Sequence, residues 1–360
     1  MKKYIVIALI LLVGGTLLIY PLLKEEDAEY TTPAEFVFQD NLATVVDQKD
    51  MVKIKVNEPL SELFVYYNDS LVASWKNISK DVEFELDGGY YGVGTRYIYL
   101  RAKRKDGTSS EDRRMVRVLS DVIPEKLVAK EVNAYPHLIT SFTQGLEFYN
   151  GELFEGTGDP DSNGATYVTV VDMNTGEWGR KMGVPGFFGE GITILNDKLY
   201  QLTYKTGKCF VYSPDKLEHL KEFDYPGEGW GLCNDGKQLI MSNGTEEIYF
   251  RDPESFSTVR TIQVYDNSGP VVELNELEYI DGMIYANVWR SGGRVVVIDP
   301  KTGKVMQDID ASSLAIHGKV AKSDVLNGIA HNPANGKIYM TGKYWAKLFE
   351  VEFVPGDQMP

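Results

Sequence analysis

Apolar and polar positions follow three different rhythms along this chain. Over residues 4–23 nearly every position is apolar, interrupted only by Gly14, Gly15, Thr16 and Pro21. At 1.5 Å per residue, about 20 such residues span a hydrocarbon core, so the run predicts a transmembrane helix or a signal sequence. Between Phe36 and about Leu119 the rhythm shortens to period-two runs at 51–56, 63–67, 82–86 and 96–102, with turn residues between them. This spacing predicts a small β-sandwich of immunoglobulin type.

The third rhythm is a repeat. Five times a short polar or aromatic cluster opens an apolar strand: Gln144-Gly145-Leu146, Glu190-Gly191-Ile192, Gly229-Trp230-Gly231-Leu232, Asn275-Glu276-Leu277 and Asn327-Gly328-Ile329. The intervals, about 40 to about 52 residues, match a four-stranded propeller blade. Each opening is followed by a second alternating strand, then by turns such as Asp172-Met173-Asn174-Thr175-Gly176 and Asp299-Pro300-Lys301-Thr302-Gly303. The fifth unit is short, and the strand at 127–132 is expected to complete it and close the ring. The predicted fold is all-β: a five-bladed β-propeller preceded by a small immunoglobulin-like β-sandwich and an N-terminal transmembrane helix. The expected layout is an anchor or signal at 1–24, a linker at 25–35, the sandwich at 36–120, a hinge at 120–126 and the propeller at 127–355. Innermost strands of a propeller converge on one channel mouth, which makes Gln144, Glu190, Trp230, Asn275 and Glu276 candidates for a small polar pocket with aromatic walls.

Charge narrows the partners. A net charge of -15 disfavours nucleic acid and anionic lipid surfaces. Lys2 and Lys3 precede the apolar run while Glu25, Glu26 and Asp27 follow it, so the N-terminus is expected in the cytosol and the body exported, periplasmic or otherwise extracytoplasmic. An uncleaved single-pass anchor in the cytoplasmic membrane is favoured over a secreted product of signal cleavage, because no Ala-x-Ala-like end is visible. Cys209 and Cys233 are the only two cysteines, either paired in an oxidising compartment or buried as thiols. His137, His219, His317 and His331 show no zinc-ligand spacing, and His137 is expected to be structural.

Eight motifs in order then carry a resemblance: Tyr135-Pro136-His137 leading to Phe142-Thr143-Gln144-Gly145-Leu146, Gly189-Glu190-Gly191-Ile192-Thr193, Leu202-Thr203-Tyr204-Lys205, Glu228-Gly229-Trp230-Gly231-Leu232, Asn275-Glu276-Leu277-Glu278, Ala286-Asn287-Val288-Trp289, Leu326-Asn327-Gly328-Ile329-Ala330 and Thr341-Gly342-Lys343. Over about 128–353 the chain resembles the glutamine cyclotransferase family, the plant and bacterial type of glutaminyl-peptide cyclotransferase. The resemblance implies a five-bladed propeller that converts an N-terminal glutamine of peptides or proteins to pyroglutamate with release of ammonia. It implies no cofactor, although a structural calcium is possible in the family, and peptide substrates; a monomer is expected.

Such a reaction needs no enzyme nucleophile, because amine and carboxamide belong to one residue; it needs the right rotamer and proton transfer. One carboxylate can take the amine's proton and return it to the leaving group. Glu190 is the candidate. By resemblance, Lys343 and Asn275 join it as catalytic residues, while Phe142, Gln144, Tyr204, Trp230 and Trp289 bind substrate. Tyr204 stands where the family usually has Trp, and residues 159–165 depart from the family's Gly-Ser-rich pattern, so that rim is expected to differ. The alternative reading is a catalytically inactive propeller that binds peptides or an envelope partner.

Overall fold

The structure, a computed structural model, describes residues 32–356 apart from 39, 163 and 165. The expected membrane segment at 1–24 and most of the 25–35 linker lie outside the described residues. Among those described, no helix is long and apolar enough to cross a membrane. The protein is all-β: the helical elements there are the α-helix Ser312–Gly318 and the 3-10 turn Gly88–Tyr91. Two compact units emerge. One holds residues up to Asp40, Met51–Leu86 and Tyr97–Arg114; the other holds Asn41–Asp50, Asp87–Arg96 and the chain from Met115 onward.

The N-terminal strands form two sheets. A three-stranded sheet orders Ala34–Phe36, Lys49–Val56 and Val82–Asp87; a five-stranded sheet orders Leu42–Val45, Ser109–Leu119, Gly94–Arg104, Leu60–Tyr67 and Ser70–Ile78. Period-two burial is clear in the centre of the larger sheet, where Leu63, Val65 and Tyr67 face inward with Ile98, Leu100 and Ala102. Ser70–Ile78, at its edge, buries no side chain fully. For that reason its apolar residues gave no alternating signal.

The C-terminal strands group in fours. Thr143–Tyr149, Glu152–Thr157, Tyr167–Val171 and Trp178–Gly183 form the first antiparallel sheet. Gly189–Leu195, Lys198–Thr203, Lys208–Tyr212 and His219–Asp224 form the second, and Leu232–Asn234, Leu239–Ser242, Glu247–Arg251 and Thr258–Gln263 the third. An eight-stranded sheet holds the rest: Leu274–Ile280, Met283–Val288, Arg294–Ile298 and Val305–Asp310 continue into Glu125–Pro136, Lys347–Pro355, Lys337–Gly342 and Leu326–Asn332. Glu125–Pro136 pairs parallel with Val305–Asp310 and antiparallel with Lys347–Pro355, so an early strand completes the last group. It starts within the expected hinge.

The five opening strands form a closed ring. Thr143–Tyr149 packs beside both Gly189–Leu195 and Leu326–Asn332, and the chain of neighbours runs on through Leu232–Asn234 and Leu274–Ile280. Close approach in this ring explains the repeated glycine. A Cβ on Gly191 would lie 2.5 Å from the Leu232 nitrogen, and one on Gly231 would strike the Asn275 carbonyl. At the equivalent place the fourth group has Glu276, whose carboxylate accepts from Leu146 N (3.3 Å) and Ile329 N (2.9 Å). Glu276 is therefore bonded among the ring's backbones and does not line the mouth, a correction of the expectation above. Glu147 accepts from Thr193 Oγ1 (2.9 Å) and Glu278 from His331 N (2.9 Å). Burial raises all three carboxyls, with Glu147 pushed up to about 8. Between neighbouring groups pack apolar layers such as Phe154, Ile192, Leu199 and Tyr212, each large side chain worth about 1.5–3 kcal/mol on burial. Cys209 and Cys233 are free thiols in such layers.

Candidate active site

The ends of the first and second strands of the groups bring all eight expected residues together. Phe142, Gln144, Glu190, Tyr204, Trp230, Asn275, Trp289 and Lys343 line one cavity of about 120 Å³, completed by Phe188 and Asp324. Gln144, Glu190 and Asn275 come from the first strands of three different groups, and Lys343 follows the strand Lys337–Gly342. Pockets for drug-sized ligands run roughly 300–1,000 Å³. This one suits a single side chain.

Its wall is a run of aromatic rings. Tyr344 meets Phe142 at 5.1 Å between centroids, Phe142 meets Phe188 at 6.0 Å, Phe188 meets Tyr204 at 5.7 Å, Tyr204 meets Trp230 at 6.3 Å, and Trp230 meets Trp289 at 5.4 Å. The Phe142–Phe188, Tyr204–Trp230 and Trp230–Trp289 pairs are edge-to-face, the arrangement the ring quadrupole favours. Glu228 accepts the Trp230 indole N–H at 3.0 Å and so fixes that ring.

Inside this apolar wall, polar groups wait without partners. Glu190 is 4% exposed, and its carboxylate has no hydrogen-bond partner among the described residues. Burial raises its carboxyl well above the usual 4.5; the Lys343 ammonium offsets part of this, and Glu228 adds to it. Burial likewise lowers Lys343, although Glu190 and Asp324 pull it up. Lys343 Nζ sits 4.7 Å from the centre of the Phe142 ring, a cation–π contact that holds it at the wall. The Asn275 side-chain oxygen is buried and unsatisfied. Asn327 Nδ2 donates to the Gln144 side-chain oxygen (3.1 Å), which orients that amide and leaves its NH2 for a ligand. Buried polar groups are normally paired, so the unsatisfied Asn275 oxygen beside the unbonded Glu190 carboxylate points to a bound partner.

A second buried carboxylate frames the site from behind. Glu155 accepts from Ser141 Oγ (2.5 Å) and Thr143 Oγ1 (2.6 Å), and His137 Nε2 lies 3.2 Å from the same oxygen. The other ring nitrogen of His137 bonds the Trp345 carbonyl at 2.9 Å. Burial alone would raise Glu155, but the charge and hydrogen bond of His137, with Ser141 and Thr143, hold it below 4.5. Burial opposes the charged form of His137 as well, yet Glu155 and the Trp345 carbonyl raise it above 6.5. The knot ties together the two segments that carry Phe142 and Gln144 on one side and Lys343 on the other.

Phe188 and Asp324 escaped the sequence reading. Phe188-x-Glu190 repeats the spacing of Phe142-x-Gln144, a signal that was present. Asp324 had no such signal, since it sits in a loop fixed by its own backbone: its N–H donates to the Lys343 carbonyl (2.9 Å) and its carbonyl accepts from Trp345 Nε1 (3.0 Å). Among the described residues no three His, Cys, Asp or Glu side chains gather to hold a metal ion. What the cavity offers is a desolvated carboxylate, an ammonium, the oriented amide of Gln144 and the open amide of Asn275 around the space of one residue.

An all-β ring closed around a small, dry, polar-floored cavity is thus the class that fold and site define. The glutamine cyclotransferase family model matches residues 107–353. The chain is 38% identical over 229 residues to the glutaminyl-peptide cyclotransferase of Arabidopsis thaliana, covering 61% of this chain and 70% of the plant protein. It superposes on the crystal structure of Myxococcus xanthus glutaminyl cyclase with a TM-score of 0.60 and 37% identity, over 64% of this chain and 98% of the bacterial one. The chain belongs to the glutamine cyclotransferase family.

Proposed function

We propose that this protein cyclises the N-terminal glutamine of peptides and proteins to pyroglutamate and releases ammonia, as an aminoacyl-type transferase. The observation that carries the reading is Glu190: a buried carboxylate without a hydrogen bond, raised in pKa, in a cavity sized for one side chain and beside the unpaired side-chain oxygen of Asn275. The glutamine side chain lies between the aromatic walls, and its α-amine, with an ordinary pKa of about 7.7–8.0, reaches the γ-carbon in neutral form. As the new C–N bond forms, the nitrogen becomes positive and Glu190 takes one proton. The carbonyl oxygen gains negative charge, stabilised by the Lys343 ammonium and by the amide donors of Gln144 and Asn275. Glu190 then returns its proton to the departing NH2, the C–NH2 bond breaks, and ammonia leaves. Glu190, Lys343 and Asn275 do the chemistry, while Phe142, Gln144, Tyr204, Trp230 and Trp289 hold the substrate. No metal takes part in this scheme.

Five blades are our reading of the ring of four-stranded groups, with Glu125–Pro136 closing the fifth; an immunoglobulin-like sandwich is our reading of the two N-terminal sheets. The apolar run at 4–23 and its flanking charges support an anchor in the cytoplasmic membrane with the body outside.

The test is ammonia release from Gln-initiated peptides incubated with the full chain, with and without a zinc-selective chelator. Release that continues with chelator is expected. Prompt loss with chelator, restored by zinc, would refute the metal-free scheme, and no release under any condition would refute the activity.

A further inference from the structure

We propose that a groove adjoining the catalytic cavity reads the residues that follow the N-terminal glutamine, and that it favours a basic side chain there. The inference rests on the cyclotransferase reading and names the substrate class within it. A cavity of about 120 Å³ takes the glutamine alone, so the peptide must leave through the mouth. Next to it lies a larger cavity of about 740 Å³, and the two share Phe142 and Asp324 as lining residues. The groove is therefore the exit that continues directly from the site.

Its chemistry is one-sided. Asp159, Asp161 and Asp324 line it against a single cation, Lys322. Tyr344 lines the same groove as the three carboxylates, and burial and then the negative charges of Asp161, Asp159 and Asp324 raise its phenol. Ile139, which is 53% exposed, and Pro160 add apolar surface for the stem of a long side chain. Tyr344 also holds a left-handed backbone, φ 61°. A non-glycine residue persists in that conformation only where neighbours fix it. Both neighbours are present: Tyr344 N–H donates to the Ser141 carbonyl (2.8 Å) and its carbonyl accepts from Ser323 Oγ (2.7 Å). Cations stand beside Tyr204 and Trp289 instead, where Glu228 lies 3.7 Å from Lys205. Arg290 stacks over Trp289 at 3.9 Å and Lys205 over Tyr204 at 4.7 Å. The direction of exit thus decides the charge preference.

The experiment compares kcat/KM of the full chain for three amidated tripeptides, Gln-Lys-Ala, Gln-Ala-Ala and Gln-Glu-Ala, by ammonia release. The order Lys, Ala, Glu is expected, with about a three- to tenfold span, as partly exposed charge pairs supply. In about 1 M salt, where the Debye length falls to about 3 Å, the span should shrink. Asp161→Lys should flatten or invert the ratio and Asp161→Glu should keep it. Each ratio is internal to one sample, so a partly folded variant does not blur it. Ammonia release with no discrimination overturns the groove but leaves the activity. A preference for Glu overturns it too, sending the peptide past Arg290 and Lys205. No ammonia from any peptide overturns the activity and this proposal with it.

Discussion

Glu155 and Glu190 are both buried carboxylates, on strands of neighbouring sheets, and the fold treats them in opposite ways. Around Glu155 gather an imidazole and two hydroxyls, so its charge is stabilised and its carboxyl is held below 4.5. Around Glu190 are aromatic rings and one ammonium with no direct bond, so its carboxyl is pushed up. The first arrangement fixes structure, because a satisfied charge has nothing left to exchange. The second leaves a base whose proton is easily taken and easily returned, as acid–base work demands. Residue type is the same; desolvation and hydrogen bonding separate the roles.

Exchanging each carboxylate for its amide should split these roles. Glu190→Gln is expected to lower kcat by at least about 10²-fold, since an amide neither takes nor returns the proton, while Tm holds or rises because an unpaired buried charge is gone. Glu155→Gln should do the reverse first: about 3 kcal/mol of stability lost by breaking a buried pair, or roughly 6–12 °C in Tm. The pH dependence carries a sign. Glu155 is lowered, so its contribution is present above about pH 4.5 and is lost as pH falls through its folded value; His137 is raised, so its contribution is complete below about pH 6.5 and is lost as pH rises through its folded value. The Tm gap between wild type and Glu155→Gln should be widest between those values. Normal ammonia release by Glu190→Gln, or an unchanged Tm for Glu155→Gln, would break the contrast.

Lys343→Met sharpens it. Methionine keeps the stem against Phe142 but removes the one charge that holds Glu190 down, so the Glu190 carboxyl should climb further. The acid limb of the kcat/KM profile, which reports the free enzyme's base, should move to higher pH, with a drop of about ten- to a hundredfold at the optimum. A limb that stays in place would mean that some other group sets it.

Much of this was legible in the sequence for a physical reason: inner strands too close for a Cβ force a glycine after each opening residue, and that repetition marks where Gln144 and Glu190 must sit. The same rule misled at Glu276, which fills the glycine position with a carboxylate bonded to two backbone N–H groups. Ser70–Ile78 went unseen because an edge strand buries no regular face. Asp324 went unseen because its place is set by bonds to Lys343 and Trp345, about 20 residues away in sequence, which no local pattern encodes. The expected membrane segment is legible only as an apolar run, and it lies outside the described residues.

The smallest predicted effect separates the wall's two proposed duties, gripping substrate and drying the Glu190 carboxylate. Phe188 touches Phe142 and Tyr204 and lines the cavity with Glu190. Leucine at 188 keeps the cavity apolar but loses two ring contacts worth about 0.5–1.5 kcal/mol each in the wall. Phe188→Leu should therefore raise KM a few-fold and leave the acid limb where it is. Phe188→Asn admits water, relieves the desolvation of Glu190 and should move the limb to lower pH, opposite to Lys343→Met. If both Phe188 variants shift the limb equally, the rings do not act on Glu190 through dryness, and the elevated carboxyl must owe its state to Glu228 instead.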